Sequence, residues 1–260
     1  MSDPNAPPLT INDQCGKLFD LLPKNFAAAI SGTVPVCTAL VSEIYARFED
    51  LPNPFAGDHV RLAIREARQY DFRMWCSEQL ESIHRMTIDE WLNHPNQRVY
   101  RRVEKFLKQL ADEYPAYLIV TGFVSDNTPV LIRSVGAGVT EVWSSHCVIG
   151  IGEIEAFDHL HRRNKDEFTG LPETLLYMAE ALEIARKKYS TEIGPTDGFI
   201  IVRPGRAMKS LHPQHPIWSE LHQLHLAGKL QNNEDMRAKL DLAFTDIDTP
   251  KANAVRNVKA

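Results

Sequence analysis

The chain has no apolar run approaching the roughly 18 consecutive residues that a membrane-crossing helix needs, and its opening stretch, MSDPNAPPLTINDQ, has no basic segment leading into an apolar one. Neither a membrane span nor a secretory signal is expected, and the chain reads as cytoplasmic. Cysteine is scarce. Cys15, Cys37, Cys76 and Cys147 lie far apart, with no CxxC pair. That spacing argues against a disulfide framework or a zinc knuckle and fits reduced thiols serving as small buried hydrophobes. An excess of positive charge is also missing: 29 Lys and Arg face 34 Asp and Glu, for a net charge of -5. A nucleic acid or an anionic membrane is therefore not an expected partner. What is present is ordinary globular composition, 43% hydrophobic and 24% charged over 260 residues. That length is long for one domain and short for two, so one large domain with appendages is expected.

Residues 1–14, rich in proline, read as an irregular lead-in. KLFDLLPKNFAAAISG (residues 17–32) then places apolar runs on both sides of a Pro-Lys-Asn turn signal, which predicts two short strands in a hairpin. Val36, Leu40, Ile44 and Phe48 recur every fourth position, one apolar stripe of a helix that Pro52 and Pro54 must end. Residues 58–113 read as mainly helical with a break near residues 93–96. The second helix there carries Arg101, Arg102, Lys105 and Lys108 opposite its apolar face; Glu104, Asp112 and Glu113 dilute that charge, and the face reads as solvated.

The pattern then changes. Residues 116–124, 129–135 and 141–150 are β-branched and aromatic runs separated by SDNT and GAGVT, which is turn chemistry and implies an antiparallel meander. Helices are expected over about residues 153–163 and 172–189, and a strand over 197–205. Residues 206–260 form a polar C-terminal extension with two short helices, near 217–226 and 234–244, and read as a docking or disordered appendage. Runs of strands alternating with helix pairs indicate an α+β fold rather than a strand–helix repeat.

Within SHCVIGIGEIEAFDHLHRR (residues 145–163), a dinucleotide loop fails because the third glycine is missing and Glu153 and Glu155 stand where a pyrophosphate would sit. A metal site from His159 and His161 fails because positions two apart lie on different sides of a helix. Adjacent residues on a strand point to opposite faces, which also disfavours a thiol–imidazole pair from Cys147 and His146. Gly150 and Gly152 read as the corner where a buried strand turns into a closely packed helix. In HPQHPIWSELHQLH, His222 and His225 share a helix face to which a loop could bring His212 or His215; no cysteine or matching carboxylate completes a metal set.

The ordered series TGFVSDNTPVLIRSVGAGVTEVWSSHCVIGIGEIEAFDHLHRR, followed by LPETLLYMAEALEIARKKYSTEIGPTDGFIIVRPG, resembles the later two-thirds of a proteasome-type subunit. In that family a strand ending in Gly precedes a meander, a Gly-x-Gly corner, two helices and a final strand. KLFDLLPKNFAAAISG is similar to the family's third and fourth strands and the glycine before its first helix. The resemblance spans residues 15–205, interrupted by a helical insertion over 53–96. It implies a four-layer αββα N-terminal-nucleophile (Ntn) hydrolase sandwich of antiparallel sheets with the first hairpin missing, and self-association into a ring or dimer.

The family's active members hydrolyse peptide bonds with an N-terminal Thr whose α-amino group is the base, assisted by a lysine. Lys17 falls at that lysine's position, while the hairpin that would carry the Thr is longer than the 16 residues preceding Lys17. Ser2 after loss of Met1, or Thr10 after internal cleavage, has no flanking strand to hold it beside Lys17. The family's supporting Asp and Ser fall at about Ser190 and Ile193, which cannot supply that pair, and Ile151 replaces the Ser of the corner. Two explanations follow: a noncatalytic structural subunit, or an active peptidase whose true start lies upstream and whose substrate is a peptide or protein. An α+β ligand- or protein-binding module without hydrolase activity is the alternative from another class. No cofactor and no metal ion is expected.

Overall fold

The computed structural model describes residues 18–21, 26–137, 139–163, 170–191, 193, 199–204, 209–211, 215–230 and 233–246. β1 (Leu18–Leu21) and β2 (Phe26–Gly32) form the expected antiparallel hairpin, with Leu18 opposite Ala29 and Leu21 opposite Phe26. α1 (Val34–Glu49) and α2 (Gly57–His84) follow, then α3 (Ile88–Leu92) and α4 (Gln97–Glu113). The chain next returns to the sheet through β3 (Ala116–Phe123), β4 (Pro129–Val135) and β5 (Val139–Val142). The five strands pair antiparallel in sequence order. β2 and β3 are neighbours, with Ala29 opposite Ile119, although four helices separate them along the chain.

Side chains alternate across each strand, so the sheet has two distinct faces. Phe19, Phe26, Ala28, Ile30, Leu118, Val120 and Ile132 point to one, where they are buried against the α1 stripe of Cys37, Leu40, Val41, Ile44 and Phe48 and against Val60 and Ile64 of α2. Phe26 meets Phe48 edge-on at 5.2 Å. Fully burying side chains of this size stabilises by about 1.5–3 kcal/mol each, which makes this the larger of the molecule's cores.

The helical segment differs from expectation in having a second break, at residues 85–87. Arg85 takes a left-handed conformation (φ 51) and caps α2. Thr87 then restarts the chain as a capping box, its hydroxyl accepting from the Glu90 amide at 3.1 Å while the Glu90 carboxylate accepts from the Thr87 amide at 2.7 Å. The strand expected over 141–150 is also shorter: β5 ends at Val142. Trp143 gives its amide to the Leu131 carbonyl (2.9 Å) and packs its ring on Phe157 at 5.7 Å, and residues 144–150 run as a loop.

α5 (Glu153–Arg163) and α6 (Leu171–Lys188) form a packed pair. The Gly-x-Gly corner explains their closeness. Gly150 and Gly152 both have positive φ (95 and 86), and a Cβ on Gly152 would stand 2.7 Å from the Ala185 methyl of α6.

The C-terminal region adds short strands that the sequence did not suggest. Of the strand expected over 197–205, the described residues form β6 (Phe199–Ile201), which pairs with β7 (Lys209–Leu211), which in turn pairs with β8 (Thr245–Asp246). α7 (Ile217–Leu226) and α8 (Glu234–Ala243) lie between β7 and β8. The described part of residues 206–260 therefore carries both expected helices and is docked rather than loose. Leu211, Leu221, Leu230, Met236, Leu240 and Phe244 are buried with Leu175 and Leu176 of α6 in a second core. Their apolar positions are too sparse along the chain to register as a long amphipathic run, yet they converge once α7 and α8 fold back on α6. The result is an α+β fold with a five-stranded and a three-stranded antiparallel sheet and, among the described residues, eight helices.

Candidate functional site: a cleft behind the large sheet

The second face of the five-stranded sheet is apolar too. Ala27 and Ala29 of β2, Ile119 of β3 and Leu131 of β4 point away from α1 and α2, and a sheet apolar on both faces requires a second cover. The cover is incomplete. Between this face and the elements opposite it lies a cavity of about 810 Å³. Its far side is built by Thr174, Tyr177 and Met178 of α6, by Leu160 of α5, by Phe199 and Ile200 of β6, and by Ser144, Ser145, His146 and Cys147 of the loop after β5.

The two sides differ chemically: the sheet side is aliphatic, apart from Thr121, whereas the helix and loop side carries hydroxyls, an imidazole and a thiol. No Asp, Glu, Lys or Arg stands among the described residues that line the cavity. Arg133, also on the second face of β4, is turned to its own partners: it pairs with Glu141 at 3.3 Å and with Glu153, and its guanidinium lies 5.9 Å from the Trp143 ring. The Ser145 hydroxyl meets His146 Nδ1 at 3.1 Å. The His146 ring packs on Phe157 at 5.2 Å and faces His161 at 6.3 Å. Burial, reinforced by His161, holds the His146 imidazolium less favourable than usual, so the ring is neutral at pH 7. Burial pushes the Cys147 thiol up to about 12. That is the reverse of an activated nucleophile.

Several residues singled out in the sequence can be placed. Lys17, Ser2, Thr10, Cys15 and His212 lie outside the described residues. Leu18, which follows Lys17, lines the cavity. His146 and Cys147 do not point to opposite faces of a strand, because the strand has ended before them; both line the cavity. Ile193 packs beside Ala156, Ala181 and Ala185 in a small apolar cluster, and Ile151 is exposed. His159 and His161 do diverge: His161 stacks on Phe157, while His159 Nε2 lies 3.0 Å from Glu180 on α6. His215 receives the Ile217 amide at 3.2 Å, a turn contact. His225 Nε2 stands 3.9 Å from the other oxygen of Glu180. Among the described residues no three His, Cys, Asp or Glu side chains are grouped to hold a metal ion, and no helix is long and apolar enough to cross a membrane.

The sequence reading missed a buried ionic anchor. Arg68 of α2 is fully buried and donates to the carbonyls of Ala116 and Ser134, both at 3.0 Å, and of Gly136. Its guanidinium carbon lies 5.5 Å from the ring of Tyr114, whose hydroxyl donates to Asp71. The available signal was positional, since Arg68 and Asp71 continue the buried stripe Val60, Ile64, Ala67 of α2.

No family model matches the chain, and no curated protein matches it. Among solved structures it is similar to the Anbu (Gly-1) mutant from Hyphomicrobium sp. strain MC1, at 14% sequence identity and a TM-score of 0.47, over 86% of this chain and 81% of that one. At that identity and score the likeness is distant and identifies no family.

Proposed function

We propose that this is a proteasome-like subunit with an Ntn-type sandwich, noncatalytic in the 260-residue form and acting in the cytoplasm through assembly. The observation that carries the reading is the connectivity: a hairpin, helices on one face of its sheet, an antiparallel meander closing that sheet, a glycine corner, two helices, and strands of a second sheet. That is the order the resemblance implies, and the apolar second face is what a layered sandwich requires.

Two further observations support the noncatalytic part. The positions of the supporting acid and hydroxyl are Ser190 and Ile193, with Ile193 committed to apolar packing. Within the cavity, burial disfavours the Cys147 thiolate. Assembly through helix faces is supported by Leu62, Tyr70 and Met74 on α2 and Ile184 on α6, each more than a third exposed. Scattered exposed apolar residues are ordinary; stripes along helices are the better candidates for contact. Sedimentation velocity at micromolar concentration tests the reading, and a clean monomer sinks it. Fluorogenic peptides should not be turned over. Turnover abolished by Lys17→Ala would instead establish an active peptidase.

The cavity favours a second reading, an α+β ligand-binding module that needs no ring. It differs by staying monomeric and by taking up a small molecule.

A further inference from the structure

We infer that the cleft behind the large sheet binds an uncharged, predominantly aliphatic small molecule that carries one hydrogen-bonding group. The inference is independent of assembly, so a monomer that takes up such a ligand overturns the subunit reading and leaves this one standing.

Size is the first argument. The volume of about 810 Å³ lies within the roughly 300–1,000 Å³ of small-molecule sites. Charge is the second. An ion entering this space would lose its hydration and meet no charged side chain among the described lining residues, which is strongly unfavourable. Arg133, on the same sheet face, is neutralised by Glu141 and Glu153. His146 adds no countercharge above pH 7, because burial keeps its ring neutral. The asymmetry of the walls is the third. Ala27 and Ala29 have the smallest side chains on the strand face and leave room above β2, with Ile119 and Leu131 beside them as an aliphatic floor. Thr174 and Tyr177, which carry hydroxyls, and the Ser145–His146 pair line the cavity opposite that floor. A chain lying on the sheet with a neutral polar group turned toward α6 and the loop satisfies both sides, whereas a wholly apolar ligand leaves the polar side unmatched.

The test uses the full chain with Nile red, an uncharged lipophilic dye, at pH 8. Fluorescence enhancement and a blue shift on adding protein are expected, with displacement by 1-decanol at least tenfold more effective than by decanoate or decylammonium. Two wall variants locate the signal. Ala29→Phe fills the floor and should weaken dye binding at least tenfold. Met178→Trp narrows the cavity from α6, where the native side chain is 41% exposed, so a larger one displaces solvent rather than core; it should weaken binding in the same direction, which keeps the test decisive if Ala29→Phe does not fold. No enhancement, equal displacement by the charged chains, or binding unaffected in a folded wall variant each overturns the assignment. Dye release that tracks self-association would overturn it as well, since a second copy would then be the occupant.

Discussion

Replacing Arg68 by Met tests whether the buried anchor holds α2 against the sheet. The guanidinium is fully buried and serves three main-chain carbonyls, on Ala116, Ser134 and Gly136, at the start of β3 and the end of β4. Methionine fills much of the volume of the arginine stem, so the cavity cost is small. A hydrogen bond from a charged donor contributes about 1.5–3 kcal/mol, and Asp71, 8% exposed, loses its neighbouring cation. Buried ion pairs replaced as a whole by apolar groups are often neutral. That escape is closed here, because the acceptors are backbone and no side-chain change removes them. Solvent reaching part of the site offsets some of the sum, leaving an expected loss of about 3–5 kcal/mol out of a typical 5–15. Urea unfolding followed by far-UV circular dichroism reads it directly. Burial raises the Asp71 pKa while the Tyr114 hydroxyl and Arg68 oppose the rise. An acid with a raised folded-state pKa loses stability as pH climbs from its unfolded value of about 3.8. Removing Arg68 widens that window, so the loss should be larger at pH 8 than at pH 4. A loss below about 1 kcal/mol at pH 8, or one that does not grow with pH, would refute the argument, since three hydrogen bonds from a buried cation are not that cheap to lose.

Gly152→Ala should destabilise by about 1–3 kcal/mol, because a positive φ and an approach of 2.7 Å to Ala185 both oppose a Cβ; thermal unfolding checks it, and an unchanged midpoint would mean that α5 moves off α6 at no cost. The lowered His146 pKa predicts that stability falls as pH drops below about 6.5, where the unfolded histidine protonates first, and levels off below the folded value. His146→Gln should remove that slope, as read by chemical denaturation across pH 5–8.

The elements that a short window of sequence can specify were legible: the α1 stripe, the hairpin around Pro-Lys-Asn, the strands of residues 116–135, and the glycine corner. Each depends on consecutive residues, through periodicity or a backbone angle only glycine adopts easily. The pairing of β2 with β3 across four helices depends on which distant edges meet, and nothing in either strand names its partner. β7 and β8 span three and two residues, too short for any period, and exist because neighbouring backbone completes their hydrogen bonds. Arg68 and Asp71 do not stand out as an anchor because a sequence does not show where three carbonyls will converge. The cleft, too, is tertiary in origin: the sequence placed Ala27, Ala29, Ile119 and Leu131 on the sheet face away from α1, but only the placement of α6, β6 and the loop after β5 left that face part-covered, with His146 and hydroxyl-bearing residues lining the far side.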